Sequence, residues 1–154
     1  MDDFICRAKR ADKSGWVYGW PAKIQEEKVP YYYAMIEQET QYIYKICEET
    51  IGRSTGKKDY FKRYIYQHDI LRSITDLNKY YEVCFGDHKE WNPKQSEYES
   101  TLGFYLRSVE QEGDLRYEMY SPLGSLDHYE FVGSVIENPE FKQLDKIRIR
   151  NVIY

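Results

Sequence analysis

Apolar and polar residues alternate with a two-residue period along much of the chain, the spacing that puts every second side chain on one face of a β-strand. Near the start, Phe4, Cys6 and Ala8 alternate with Ile5 and Arg7. After an Asp12-Lys13-Ser14-Gly15 turn, Trp16, Tyr18 and Trp20 share one face of a second run. Glycine supplies the positive φ that a tight reversal needs, so the two runs predict an N-terminal hairpin. Gly19 marks a bulge or a close backbone approach, and Pro21 is expected to end the strand. Residues 31–36, which hold Tyr31, Tyr32 and Tyr33, and residues 42–47 are two further strand candidates. Glu37, Glu39 and Gln41 would tolerate a helix between them, but aromatic and β-branched flanks favour a second hairpin.

The middle of the chain is organised around residues 49–71. Gly52-Arg53-Ser54-Thr55-Gly56 reads as a turn, residues 57–66 are basic and aromatic, and His68-Asp69 leads into Ile70-Leu71. Ile70, Arg72 and Ile74 alternate, Asp76-Leu77-Asn78-Lys79 is a turn, and Tyr81, Val83 and Phe85 line the next strand. Residues 86–100 are polar and contain Pro93, which predicts a loop with room for a short helix. Residues 104–109 and 115–120 flank Gln111-Glu112-Gly113-Asp114, a hairpin signal. Residues 122–125 read as a turn or a single helical turn. Residues 129–136 are nearly continuous in apolar character and are expected to be the central strand. Asn138-Pro139-Glu140 starts a short helix near 139–144, and residues 147–154 read as a last strand or a tail. The fold class is therefore mainly β: antiparallel strands in a curled, barrel-like sheet with one or two short helices. One domain over 1–154 is expected, with 145–154 as the candidate flexible tail.

Composition changes this picture in two places. At 154 residues the chain has a one-domain length. Yet it holds 17 Tyr, against 6 Phe and 3 Trp, more rings than a sheet interior of this size is expected to enclose. Tyrosine has a broad apolar face and a polar tip, suited to half-buried strand positions and to binding surfaces. The second change concerns charge. A net charge of −4 argues against non-specific attraction to a phosphate backbone, but Lys57, Lys58, Lys62 and Arg63 make a local basic run. Cys6, Cys47 and Cys84 are odd in number and far apart, which argues against a closed zinc site and a disulfide framework. The charged N-terminus does not read as a signal peptide, and no apolar run has membrane-spanning length, so a cytoplasmic protein with no membrane contact is expected.

Four pieces of sequence, in order, resemble the YopX family, small proteins of phage and prophage genomes. Arg7-Ala8 followed by Trp16-Val17-Tyr18-Gly19 is similar to the family's N-terminal hairpin. Gly52 with Thr55-Gly56-Lys57-Lys58-Asp59 resembles its central G-x-x-T-G-x-K-D turn. Tyr66-Gln67-His68-Asp69-Ile70-Leu71 resembles its Y-E-G-D-I-V segment, and Val132-Gly133-Ser134-Val135-Ile136-Glu137-Asn138-Pro139-Glu140 its V-I-G-N-I-Y-E-N-P-E. Lys57 stands where the family usually has Leu, and His68 where it usually has Gly, so the turn at His68 is expected to be rebuilt. The resemblance implies a mostly β fold with barrel-like curvature and a phage or prophage setting, hence the cytoplasm of a bacterial host. It transfers no active site, because no catalytic activity is generally assigned to the family.

The candidate chemistry is thin. Gly52–Lys58 has three residues between its glycines and Lys58 in place of the hydroxyl that a phosphate loop requires. His68-Asp69, Asp87-His88 and Asp127-His128 could seed a metal site or a hydrolase, but neighbours in a strand face opposite ways, and Asp69 is expected to cap its own turn. Ser125-Leu126-Asp127-His128 holds the triad residue types without a nucleophile elbow. What remains is binding. Trp16, Trp20, Tyr31, Tyr32, Tyr33 and Tyr64 are candidates for an exposed aromatic patch, and Lys57, Lys58, Lys62 and Arg63 for its charged rim. The expected function is a non-enzymatic protein, without catalytic residues, metal or cofactor, that engages and inhibits a host defence or regulatory protein. The alternatives are a nucleotide or nucleic-acid binder that uses the basic run, and a metal-dependent hydrolase. Exposed strand edges would also allow a homo-oligomer.

Overall fold

The computed structural model describes residues 5–109, 120–122 and 124–139. Among them the chain is antiparallel strand joined by turns, as the alternation implies, with a 3-10 turn at Glu48–Thr50 and no α-helix. The strands are β1 (Cys6–Lys9), β2 (Trp16–Ile24), β3 (Tyr32–Glu37), β4 (Ile43–Lys45), β5 (Gly52–Lys58), β6 (Tyr64–Tyr66), β7 (Asp69–Ser73), β8 (Tyr80–Asn92), β9 (Glu97–Ser108), β10 (Tyr120–Pro122) and β11 (Tyr129–Ser134). They form two sheets, in the orders β4-β3-β2-β1-β5-β6 and β10-β9-β8-β7-β11. Both orders are linear, so neither sheet closes into a barrel. The chain divides into two compact units, Met1–Gly56 and Lys57–Tyr154.

In the first unit β1 and β2 pair as the alternation predicts, from Cys6↔Gly19 to Lys9↔Trp16. Pro21 does not end β2. It pairs with Met35 and the strand runs on to Ile24, beyond the stretch where β1 is paired, so no ladder bond there is lost to the missing N–H. Gly19 is a close approach: a Cβ there would sit 1.9 Å from the Ile36 carbonyl oxygen. The sheet curls. An isolated bridge, Arg10↔Ile46, with Ala11 N–H donating to Lys45 O at 2.9 Å, brings the chain after β4 back to the end of β1. Ala8, Val17, Met35 and Ile46 fill the inside of this curl, flanked by Tyr33, Tyr44, Cys6 and Ile51.

The segment Gly52–Gly56, expected as a turn, lies within β5, paired with β1 through Cys6↔Arg53 and Arg7↔Gly52. The reversal comes later, at residues 59–63.

The second unit is built on β7, β8 and β9. Ile65, Leu71, Val83, Leu106 and Leu126 form its main core, and Ile70, Val109 and Val135 a second cluster. Fully burying each Leu or Ile contributes about 2 kcal/mol. Two expectations fail here. Residues 86–100 are not a loop: β8 and β9 continue through them as a two-stranded ribbon, paired from Tyr81↔Ser108 to Asn92↔Glu97. β11 is not central. It lies at the sheet's edge against β7, with a bulge at Val132 that breaks the alternation. His68 takes φ +80°, the left-handed region that favours glycine, the residue the resemblance places at this position. Its N–H donates to Val83 O and its carbonyl accepts from Val135 N–H, contacts that hold it there. β10 pairs with β9 as the hairpin signal implied, whereas Gln111–Asp114, the expected helix at 140–144 and the tail lie outside the described residues.

Candidate functional site

Of the described aromatic rings, none is fully buried; the buried hydrophobic core is aliphatic, of Ile, Val, Leu, Ala and Met. The rings therefore lie around the core or face outward, which is the expectation that the tyrosine count raised. Exposed rings gather at a knuckle and near the ribbon's tip in the second unit, and on both sides of the sheet in the first.

In the second unit, β5 ends at Lys58 and the chain reverses into β6 through a knuckle at residues 59–64. Asp59 is the fastening. Its side chain is wholly buried, and its two oxygens accept from the Arg63 N–H at 2.8 Å, the Phe131 N–H at 2.9 Å and the Arg63 Nε at 3.1 Å. Tyr60 N–H donates to Tyr129 O at 2.8 Å, a second tie to β11. Burial works to raise the Asp59 carboxyl, but the hydrogen bonds from the Phe131 and Arg63 amides, with the Arg63 charge, outweigh it and hold it below the ordinary carboxylate value. Above this anchor Tyr60, Phe61, Lys62, Arg63 and Tyr64 are all exposed. The Tyr60 and Phe61 rings meet edge to face at 5.1 Å, the Lys58 ammonium lies 4.6 Å from the Tyr64 ring, and the Arg63 guanidinium lies over Phe61 at 5.3 Å and Phe131 at 5.5 Å.

Of the residues expected here, Lys58, Lys62, Arg63 and Tyr64 come together in the knuckle, and half-buried Lys57 precedes it in β5. Tyr60 and Phe61 belong with them. Sequence reasoning counted them as part of a basic run, although an Asp followed by two aromatics at the end of a strand signals a pinned turn. Of the cations in this run, Arg63 is held by the buried Asp59 carboxylate and Lys58 lies over the Tyr64 ring.

The first unit divides the other expected residues between two faces. Register places Trp16, Tyr18, Trp20 and Tyr32 on the side away from the curl's core, with Arg7 and Lys9 from β1, and Ile43 and Lys45 from β4. The Arg7 guanidinium and the Lys9 ammonium lie 4.3 and 4.6 Å from the Trp16 ring, and Lys45 is 5.4 Å from Tyr32. Tyr31 and Tyr33 face the other way and meet edge to face at 6.1 Å. Tyr33 packs against the core and Lys23 lies over Tyr31 at 3.9 Å. The run of three tyrosines is thus not one patch, because a strand sends neighbours to opposite sides.

A third cluster went unforeseen. Near the ribbon's tip Trp91 and Tyr98, directly opposed, meet edge to face at 5.1 Å, both exposed.

The polar candidates resolve into structure. Asp69 accepts from Tyr66 N–H at 2.8 Å, the turn cap expected of it. Asp87 and His88 face opposite ways, Asp87 exposed and His88 buried; the His88 ring bonds Glu90 at 2.6 Å and the Gly86 carbonyl at 3.0 Å. The His88 and Tyr105 rings, on the two strands flanking the Gly86↔Gly103 pair, approach to 4.5 Å. Ser125 Oγ donates to Asp127 at 2.8 Å, a surface turn. Gly52–Lys58 is extended strand with no helix after it, which removes the geometry of a phosphate loop. Burial, then the charge of Glu82, pushes the Cys84 thiol up to about 12, so it stays protonated and inert. Among the described residues no group of three His, Cys, Asp or Glu converges as metal ligands, and no helix is long and apolar enough to cross a membrane.

The family model described as YopX protein matches residues 7–141. That span agrees with the landmarks that carry the resemblance, from Arg7 to Glu140. No curated protein matches significantly.

Proposed function

The chain belongs to the YopX family, and on that premise we propose that it acts by binding: a phage- or prophage-encoded, non-enzymatic protein of the bacterial cytoplasm that engages and inhibits a host defence or regulatory protein. The observation that carries this reading is the knuckle. Phe61 is 56% exposed, and its neighbours Tyr60, Arg63 and Tyr64 are exposed with it, over a carboxylate that accepts three hydrogen bonds. Aromatic and Arg side chains dominate binding energy at protein interfaces, and a preformed turn loses less freedom on docking than a loose one.

The test is capture from host lysate with the wild-type chain beside Phe61→Ala and Tyr60→Ala. A partner held in stoichiometric amount by the wild type and lost by both variants, each with an unchanged melting temperature, supports the reading. Capture that ignores both substitutions, or no stoichiometric partner at all, removes the knuckle from the function. The alternatives of the sequence reading, a nucleotide or nucleic-acid binder built on Lys57, Lys58, Lys62 and Arg63 and a metal-dependent hydrolase, have less support. In the first, Arg63 is already ion-paired with the buried Asp59; the second asks for ligands that converge.

A further inference from the structure

One surface outside the knuckle has a charge pattern at odds with the chain as a whole. The protein carries 26 acidic against 22 basic residues. On the side of the first sheet away from the curl's core, the positions that register places together are Arg7 and Lys9 on β1, Trp16, Tyr18, Trp20, Ala22 and Ile24 on β2, Tyr32, Ala34 and Ile36 on β3, and Ile43 and Lys45 on β4. Three are cations, of which Arg7 is buried and Lys9 and Lys45 reach solvent, and none is a carboxylate. Glu37, the one acidic residue within these four strands, pairs with Gly19 on the opposite side.

The rings are arranged as well as charged. Tyr18 and Trp20 are 41% and 42% exposed, in one row with Trp16. Alternate residues of an antiparallel strand stand ~6.8 Å apart. Lys9 flanks the row at the Trp16 end, and exposed Lys45 stands beyond it on β4. Gly19, between the two exposed rings, brings the β2 backbone so close to Ile36 that no side chain fits there, which locks the row in register.

We propose that this side of the first sheet binds single-stranded nucleic acid, with bases stacked on Tyr18 and Trp20 and backbone phosphates held by Lys9 and Lys45. A sheet that displays aromatic rings in a row can stack only on bases that are free of their own stack, which selects single strands over duplex. Cations without intervening carboxylates match the phosphate backbone along the same path. An acidic chain has no general attraction for nucleic acid, so binding rests on this local surface. The inference stands on different residues from the knuckle, and either can fail alone.

The experiment is fluorescence anisotropy of short labelled oligothymidylate and oligouridylate strands, and of a matching duplex, at low and high salt. Single strands are expected to bind more tightly than duplex. Trp20→Ala and Tyr18→Ala should each weaken binding about tenfold, while Trp20→Phe keeps most of it. Lys45→Glu should weaken binding and lower the salt slope by about one. Trp91→Ala should leave affinity unchanged. Thermal melts of the same samples check that each variant is folded. No binding at low salt, equal affinity for duplex, or affinity indifferent to Trp20→Ala and Tyr18→Ala would each overturn the proposal.

Discussion

Two pairs of exposed rings in the second unit look alike and are founded differently. Tyr60 with Phe61 at the knuckle and Trp91 with Tyr98 near the ribbon's tip both meet edge to face at 5.1 Å. Beneath the first pair lies a buried carboxylate that bonds a residue of β11, and Tyr60 itself bonds Tyr129. The second pair is held by its own two strands, with exposed bonds around it: Asn92 to Glu99 at 2.8 Å and Lys89 to Ser100 at 2.9 Å. No third strand pairs with the ribbon between Asp87 and Asn92 among the described residues. Equal exposure therefore hides unequal preparation for binding. The knuckle's shape depends on buried structure, whereas the tip's depends on cross-strand contacts worth a fraction of a kcal/mol each.

The largest effect expected from this contrast follows removal of the anchor. Asp59→Ala leaves the Phe131 and Arg63 amides and the Arg63 side chain without their acceptor, and should cost about 3 kcal/mol in urea unfolding. A loss under 1 kcal/mol would show that the carboxylate is not the foundation of the knuckle. The pH dependence follows from the same group. Its folded pKa lies below its unfolded one, so its contribution is complete above the ordinary Asp value of about 3.9 and disappears as pH falls through the lower folded value. Relative to Asp59→Asn, the wild type should be more stable at neutral pH by an amount that shrinks only below about pH 4.

A smaller change is expected at the turn that follows β6. His68→Gly relieves a left-handed backbone at the cost of a more disordered unfolded chain, and should raise stability by about 0.5 kcal/mol in thermal melts. A loss instead would mean that the imidazole is held by contacts worth more than the strain. An effect of the same size is expected at the tip. A double-mutant cycle on Trp91 and Tyr98 should give a coupling of about 0.5 kcal/mol with no change at the core. A coupling several times larger would erase the distinction between the two pairs.

Local rules carried the reading of the chain as far as local physics decides structure. The β1–β2 hairpin, the strand at Tyr32–Glu37, the cap at Asp69 and the turn at residues 76–79, closed by Lys79 N–H to Asp76 O at 3.0 Å, all follow from alternation and turn chemistry. The misreadings arise where partners or solvent, not local sequence, decide the outcome. Gly52-Arg53-Ser54-Thr55-Gly56 has weak intrinsic strand preference and becomes strand because β1, far back in the chain, offers it an edge. Residues 86–100 are mostly polar on both faces because solvent reaches both, which removes the alternation that marks a half-buried strand. β11 looked central because it is apolar, yet Phe131, Tyr129 and Val132 pack against core clusters from an edge position. Of the candidate site, the residue types were legible and the grouping was not. Tyr32 separates from Tyr31 and Tyr33 by simple alternation, whereas the bond that ties Asp59 to Phe131 comes from a strand that arrives much later in the chain.

The hydrogen bond from Phe131 to Asp59 spans 72 residues of sequence. While the protein is being synthesised, Tyr60 and Phe61 leave the ribosome long before β11 exists to complete their support. Until translation passes Phe131, the segment that carries these rings lacks that support, and the nascent polypeptide cannot yet present the surface proposed to seize a partner. Competence to bind thus waits on a strand made well after the rings it steadies.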